Sequence, residues 1–197
     1  MKLRVMLVDE RSERAELLRG PLALAGHEII ARVHPGDDLA ARVRELAPDV
    51  IIIDMDSPSR DTLEQMRCIH RDQPRPILMF AEDGDRELIQ EAVRAGVSAY
   101  VVDGLDAGRV MPILEVAIAR FNEFQNLRRE LEETRLGLAE RRHIDRAKAL
   151  LMEQRGWTEK QAYQALRKMA MDRNLRMGQV ADQLVAMSEL MGLGPRL

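Results

Sequence analysis

An alternation of apolar runs and helical patterns over residues 3–102 constrains the fold of this chain most strongly. Each of five short apolar runs is followed by a stretch whose apolar residues recur at helical spacing. Strands and helices that alternate in this rhythm form a parallel sheet with helices on both faces. The sequence therefore predicts a doubly wound α/β domain. Its predicted strands are residues 3–8, 28–33, 50–53, 77–80 and 99–102.

Acidic residues directly follow two of these predicted strands. Asp9 and Glu10 follow the first strand, and Asp54 follows the third. Ligands of parallel sheets bind beyond the carboxyl ends of the strands, so we expect these three carboxylates to converge at one edge. Converging carboxylates repel each other, and a hard cation such as Mg²⁺ is their natural counter-charge. The sequence therefore predicts a cation site, with turn and helix-cap roles for these acids as the alternative.

Composition excludes several other classes of protein. With 46% apolar and 32% charged residues, a chain of 197 residues can bury a core. The single cysteine, Cys68, excludes an internal disulfide and a CxxC metal site, and it fits a reducing compartment. We expect a cytoplasmic protein, because the sequence shows neither a signal peptide nor an apolar run of about 18 residues. It also lacks the motifs of phosphate-loop enzymes, serine hydrolases and zinc proteases, so we expect no enzyme.

Charge is distributed unevenly along the chain. Residues 1–120 hold 16 basic and 22 acidic side chains, whereas residues 121–197 hold 14 and 11. From Arg141 to Arg176 the net charge reaches +6, on a segment whose apolar residues are spaced as in three amphipathic helices. A basic island on a small helical module favours a polyanionic partner, and solvated surface charge is the alternative. We therefore expect two domains with different tasks.

The helix predicted to begin near residue 158 carries its own start signal. Thr158 and Gln161 match the capping-box pattern, in which each side chain satisfies a backbone amide of the other residue. Two faces are predicted for this helix. The buried face is expected to comprise Ala162, Tyr163, Leu166, Met169 and Ala170, and the exposed face Lys160, Gln164, Arg167 and Lys168.

A long helix is predicted to connect the two domains, since little between residue 107 and about residue 155 would stop one. Its first part, residues 107–140, is expected to act as the connector. Five of its residues fit alternating a and d positions over two heptads, namely Phe124, Leu127, Leu131, Thr134 and Leu138. A coiled coil that dimerises two chains through Phe124, Leu127, Leu131 and Leu138 is one interpretation. A helix packed on its own first domain is the other.

Residues 1–118 resemble the receiver domain of bacterial two-component response regulators, which has the flavodoxin-like fold. The resemblance rests on the acidic residues described above and on Pro58, four residues after Asp54. It implies that Asp54 accepts a phosphoryl group, a reaction that depends on positioning and on charge neutralisation. It also implies a set of Mg²⁺ ligands, which would be Asp9, Glu10, Asp54 and the backbone carbonyl of Asp56.

Two positions depart from the receiver pattern. Ala81 stands where the family has Thr or Ser, and Asp103, followed by Gly104, stands where it has a Lys-Pro pair. Two unit charges about 4 Å apart interact by roughly 4 kcal/mol at an effective dielectric near 20, so an acid beside a phosphoryl group disfavours a stable aspartyl phosphate. The sequence therefore predicts an atypical receiver, switched by a partner protein or a ligand at least as readily as by a kinase.

Residues 141–191 resemble the ANTAR domain, the RNA-binding antitermination module of regulators of amide and nitrate use. With the receiver and the long helix, the whole chain resembles antiterminators of the nitrate-assimilation type. The matching residues are Arg141 and Arg142, Ile144, Ala147 and Lys148, Leu151 and Met152, Ala162 and Tyr163, Leu166 and Arg167, Ala170 and Met171, and Val180 and Ala181.

This resemblance implies a dimer that binds two adjacent hairpins in the leader of a nascent mRNA, so that the competing terminator cannot form. Unpaired loop bases offer faces and edges for recognition, and basic side chains meet the phosphates. A ligand-sensing regulatory protein that holds the chain inactive is a further expected partner. A DNA-binding regulator and a module that binds only proteins are the alternatives. The residues expected to contact RNA are Arg142, Arg146, Lys148, Arg167, Lys168, Arg173 and Arg176.

Overall fold

Five parallel strands form the centre of the first of two units into which the chain divides, residues 1–125 and 126–197. The computed structural model describes residues 2–10, 12–102 and 107–190, without the side chains of residues 12–15 and 107. The strands are β1 (Arg4–Asp9), β2 (Glu28–Val33), β3 (Val50–Met55), β4 (Ile77–Ala81) and β5 (Ala99–Val101). Their spatial order, β2-β1-β3-β4-β5, is that of flavodoxin-like sheets, so the predicted fold class is confirmed.

Helices cover both faces of this sheet. Alternate side chains of a strand point to opposite faces, so Met6 and Val8 enter one core while Val5 and Leu7 enter the other. The helices are α1 (Ser12–Leu24), α2 (Leu39–Leu46), α3 (Arg60–Asp72), α4 (Arg86–Arg94) and α5 (Ala107–Arg155). The first core includes residues of α2, α3 and α4, and the second includes residues of α1 and α5. The continuous apolar runs of the sequence follow from this double burial.

A glycine is required where the chain turns from α4 into β5. Gly96 has φ +98°, a backbone conformation that disfavours residues with a Cβ. A Cβ at this position would lie 2.4 Å from Cγ of the His70 ring, which belongs to α3. The turn and the packing of His70 therefore both depend on the absence of a side chain.

The second unit is all-helical, as predicted. It contains the later part of α5 together with α6 (Glu159–Arg173) and α7 (Met177–Leu190). The capping box at the start of α6 is confirmed, with both Thr158 and Gln161 bonded to the backbone of the other residue. The core of the unit comprises Ala147, Leu150, Leu166, Ala170, Val180, Ala181 and Val185. Among the described helices, none is long and apolar enough to cross a membrane.

One predicted core residue of α6 is not in the core. Tyr163 is 43% exposed and lies outside the buried cluster, so its assignment to the buried face was wrong. The buried stripe follows Ala162, Leu166 and Ala170 at intervals of four residues. Tyr163 comes one residue after Ala162 and is therefore rotated by about 100° around the helix axis. That rotation carries its ring to the edge of the apolar stripe.

We predict that Gly96→Ala lowers the free energy of unfolding by roughly 2 kcal/mol, because the new Cβ adds both a strained φ and a clash with the His70 ring. Gly137→Ala is the control, since Gly137 lies within α5 with no heavy atom near the Cβ position. It should stabilise the chain by about 0.5–1 kcal/mol. Urea unfolding followed by circular dichroism measures both changes. Equal midpoints for Gly96→Ala and the wild type would contradict the described packing.

Candidate acidic site and nucleic-acid interface

Asp9 and Asp54 are neighbours on adjacent strands. β1 and β3 pair in parallel with Asp9 opposite Asp54, and the two residues are 5% and 2% exposed. Asp54 lies inside β3 rather than after it, because the strand extends to Met55. Ala81, one of the two positions predicted to be atypical, pairs with Met55 at the end of β4 and is fully buried. Asp103, the second atypical position, lies outside the described residues.

An arginine faces the buried carboxylate of Asp9. Nη2 of Arg32, from β2, donates a hydrogen bond to Oδ2 of Asp9 at 2.9 Å. The Asp9 side chain is 1% exposed, whereas that of Arg32 is 40% exposed. Removing a carboxylate from water is costly unless a counter-charge and hydrogen bonds compensate. The sequence reasoning missed Arg32, although a basic residue between the apolar residues of β2 was the available signal.

Glu10 and the backbone carbonyl of Asp56 are also predicted Mg²⁺ ligands, and they are not arranged as the receiver resemblance implies. Glu10 is exposed to solvent. The backbone carbonyl of Asp56 accepts hydrogen bonds from the amides of Glu82 at 3.0 Å and Asp83 at 3.1 Å, which uses both of its acceptor positions. Within the described part of the chain, no three acidic, histidine or cysteine side chains are grouped as metal ligands. Oxygen atoms are the donors that Mg²⁺ prefers, but in this arrangement they do not form a Mg²⁺ site.

Hydrogen bonds connect the loops that follow β3 and β4 with strand β5. The Ser57 hydroxyl donates to Oδ2 of Asp83 at 3.1 Å, and the Tyr100 hydroxyl donates to the Asp83 carbonyl at 2.8 Å. Burial and then the carboxylates of Asp83 and Asp85 raise the pKa of Tyr100, so the phenol stays protonated and keeps donating. The Tyr100 hydroxyl thus adds a link between β5 and the loop after β4, beside the pairing of the two strands.

The predicted dimerisation residues fall in both units. Phe124 belongs to the first unit, where its ring centroid lies 6.3 Å from that of His70 and its side chain is half exposed. Leu127, Leu131 and Leu138 belong to the second unit and are 55%, 51% and 52% exposed. Half-exposed leucines along one helix leave apolar surface for a partner. Dimerisation through this stripe stays a prediction.

Six of the seven predicted RNA-contacting residues are exposed, and they are Arg142, Arg146, Arg167, Lys168, Arg173 and Arg176. Arg142 and Arg146 lie one turn apart on α5 and line an open groove of about 570 Å³ together with Ala139 and Ala149.

Tertiary contacts within the second unit hold α5 beside α7. Oε1 of Glu140 accepts a hydrogen bond from the backbone amide of Gly178 at 3.3 Å. Nδ1 of His143 lies 3.0 Å from Oδ1 of Asp182. Both contacts join the part of α5 that carries Arg142 to the first turns of α7. The two arginines of the groove are therefore presented from a packed helix rather than from a loop.

Lys148 is less exposed than the other six residues predicted to contact RNA. Its Nζ lies 2.8 Å from Oδ1 of Asp145 and 2.8 Å from Oε1 of Glu159, and its side chain is 16% exposed. The hydrogen bonds to these two carboxylates raise the pKa of Lys148, so it remains protonated. As arranged, the lysine joins the last turns of α5 to the first turn of α6. Contact with a phosphate would require it to leave both carboxylates.

Comparison with known proteins identifies both units. The family model of the response regulator receiver domain matches residues 5–115, and that of the ANTAR domain matches residues 127–185. The transcriptional regulatory protein PdtaR of Mycobacterium tuberculosis is 30% identical over 183 residues, which cover 91% of this chain and 87% of PdtaR. The nitrate regulatory protein of Klebsiella oxytoca is 39% identical over 84 residues, which cover 43% of this chain and 21% of that protein.

A solved structure supports the fold of the first unit. The chemotaxis response regulator CheY4 of Vibrio cholerae superposes with a TM-score of 0.51 at 22% identity. The superposition covers 59% of this chain and 99% of the other chain. At this identity the similarity shows that the fold is shared.

We predict that Arg32→Gln makes the stability of the first unit respond to Mg²⁺. Without the guanidinium, the buried carboxylate of Asp9 loses the positive charge of Arg32, which a divalent ion can then replace. In the absence of metal the variant should lose about 2 kcal/mol of stability. Millimolar Mg²⁺ should restore several degrees of Tm, and it should affect the wild type less.

Arg42→Gln serves as the matched control for this experiment, since Arg42 pairs with Glu45 on the exposed surface of α2. Thermal unfolding with and without Mg²⁺ measures all three proteins. The same Mg²⁺ response in the wild type and in Arg32→Gln would show that the arginine does not occupy the place of the cation.

We predict that Lys148→Met destabilises the second unit by about 1 kcal/mol, because it breaks two ion pairs between α5 and α6 and leaves their carboxylates unneutralised. The exposed Arg146→Met should stay within about 0.5 kcal/mol of the wild type. The single tryptophan, Trp157, lies in the turn that these ion pairs span, so its fluorescence during urea unfolding reports the change. Identical midpoints for the two variants would contradict this role of Lys148.

Proposed function

Because the chain belongs to the response regulators that carry a receiver domain and a C-terminal ANTAR domain, we propose that it is an RNA-binding transcription antiterminator. In this proposal it binds tandem hairpins in the leader of a nascent transcript and prevents the terminator from forming. The observation that carries the proposal is the ANTAR match over residues 127–185, on a helical unit whose basic side chains are exposed. The relatives named as a transcriptional regulator and a nitrate regulator support the same class of activity.

The exposed cations suit contacts with phosphates. Arg142 and Arg146 follow one side of α5, and Arg167 and Lys168 lie on α6. Arg173 ends α6, and Arg176 immediately precedes α7, so both flank the turn between these helices. Charged side chains in this arrangement neutralise phosphates and release counterions, which makes binding steeply dependent on salt. We assign RNA binding to residues 141–191, connection to residues 107–140 and signal reception to residues 1–118.

Two chains are proposed to act together. The half-exposed Leu127, Leu131 and Leu138 would pair with the same residues of a second copy, and each copy would then offer one RNA-binding module to one hairpin. The receiver would control this pairing or the exposure of the module. A ligand-sensing protein that holds the inactive form is the proposed partner. The site of action is the cytoplasm, where nascent bacterial transcripts are made.

The acidic site is proposed to receive the signal. Asp54 is the candidate phosphoacceptor, and Mg²⁺ would have to compete with Arg32 for the carboxylate of Asp9. The methyl group of Ala81 removes a hydroxyl that would hold the phosphoryl oxygens. These features support a receiver in which a bound partner contributes as much as phosphorylation does. The proposed role is regulatory rather than enzymatic.

We predict that the full chain binds an RNA of two adjacent hairpins in preference to duplex DNA of the same length. Gel shifts with and without acetyl phosphate and Mg²⁺ measure both affinities, and a salt series measures the number of phosphate contacts. The double variant Arg142→Gln/Arg146→Gln should bind more weakly at every salt concentration and reduce the logarithmic salt slope by about 2.

The control is Arg42→Gln, an exposed arginine of the first unit that should leave binding unchanged. Preferential binding of the duplex would replace the RNA proposal with DNA binding. Retention of neither nucleic acid, together with a protein partner that stays bound at high salt, would favour a protein-only module.

A further inference from the structure

The second unit contains two aromatic side chains of the Phe, Tyr and Trp type, and they differ in burial and in contacts. Trp157 is half-buried, and the guanidinium of Arg155 lies 6.0 Å from the centroid of its ring. Tyr163 is 43% exposed and is not part of the buried cluster of its unit. Among the described residues, none forms a hydrogen bond with the Tyr163 hydroxyl. Its ring is therefore the aromatic surface that this unit offers to a partner.

The neighbours of Tyr163 on α6 give this exposed ring a chemical context. Lys160 precedes it by three residues and Arg167 follows it by four, so both lie on the same face within one helical turn. Both cations are exposed, and Met171, one turn further on, is 71% exposed. Of the two acids of α6, Asp172 falls roughly 180° from Tyr163 around the helix. Glu159, one turn before Tyr163, lies on the same face, but its carboxylate is paired with Lys148.

An aromatic ring between two cations matches the chemistry of unpaired nucleotides. Every base has a flat face that can stack on an aromatic side chain, and the phosphates on either side of it are anionic. Hairpin loops are the part of a folded RNA in which such bases are available. A duplex keeps its bases stacked inside the helix, so this face suits a loop better than a stem.

We propose that Tyr163 is a stacking platform for one unpaired base of the RNA loop, with Lys160 and Arg167 binding the phosphates that flank it. This inference rests on the proposed RNA-binding function and adds a residue that reads the loop rather than the backbone. The cations give affinity for any nucleic acid, whereas the ring selects RNA whose loop holds a base free to stack. A helix that is packed through Ala162, Leu166 and Ala170 holds the platform in place.

The experiment uses the full chain and the two-hairpin RNA of the binding assay, with 2-aminopurine substituted at each loop position in turn. Stacking on tyrosine quenches the fluorescence of 2-aminopurine, so the wild type should quench one loop position more than the others. Tyr163→Phe should keep the affinity and the quenching, because it retains the ring. Tyr163→Leu should lose the position-specific quenching and weaken binding by roughly 5- to 100-fold.

Salt dependence separates stacking from charge. Tyr163→Leu should leave the logarithmic salt slope unchanged, whereas Arg167→Gln should lower it by about 1. Met187→Ala, which truncates an apolar side chain of α7 that is 56% exposed, is the control and should bind as the wild type does. Unfolding followed by the fluorescence of Trp157 checks that each variant is folded.

The possible failures are distinguishable. If the wild type binds no hairpin RNA, the proposed function is overturned and the platform with it. If the wild type binds the RNA but Tyr163→Leu matches it in affinity and quenching, the platform is overturned while RNA binding stands. Loss of binding in Tyr163→Phe as well as in Tyr163→Leu would also overturn stacking, because the hydroxyl rather than the ring would then carry the contact.

Discussion

The parallel pairing of β1 with β3 is the constraint on which the first unit depends. It places Asp9 beside Asp54 at the carboxyl edge of a sheet that is buried on both faces. Two carboxylates so close to an apolar core need a positive charge within hydrogen-bonding distance. Arg32 supplies one from the neighbouring strand, and the loops beyond β3 and β4 close over the same edge through Asp56 and Asp83. The acidic site is thus a product of strand register and electrostatics together.

The alternation of strands and helices could be predicted because the spacing of apolar residues in the sequence follows which side chains are buried. Apolar runs mark strands covered on both faces, and the register then puts Asp9 and Asp54 side by side without further information. The ion pair with Arg32 could not be predicted, because it depends on how far the Arg32 side chain reaches across the neighbouring strand. The hydrogen bonds to the Asp56 carbonyl could not be predicted either, since they depend on the position of a loop that is distant in sequence.

In the helical unit too, the features set by spacing along one helix could be predicted, and those set by packing between helices could not. Its capping box and its apolar stripe were readable, because both are set by spacing within one helix. The placement of Tyr163 was not, because a residue at the border of a stripe is buried or exposed according to how far the neighbouring helices extend. The double ion pair of Lys148 likewise joins α5 to α6 across a turn, so a basic residue predicted to contact RNA also connects two helices.

If the acidic site receives the signal as proposed, the arginine beside Asp9 affects which signals can act there. A tethered guanidinium is always present at a fixed effective concentration, whereas a dissolved metal ion follows the supply in the cell. In the proposed switch, a signal that acts at this site has to displace a cation that cannot diffuse away, so the amount of signal needed depends on the protein itself.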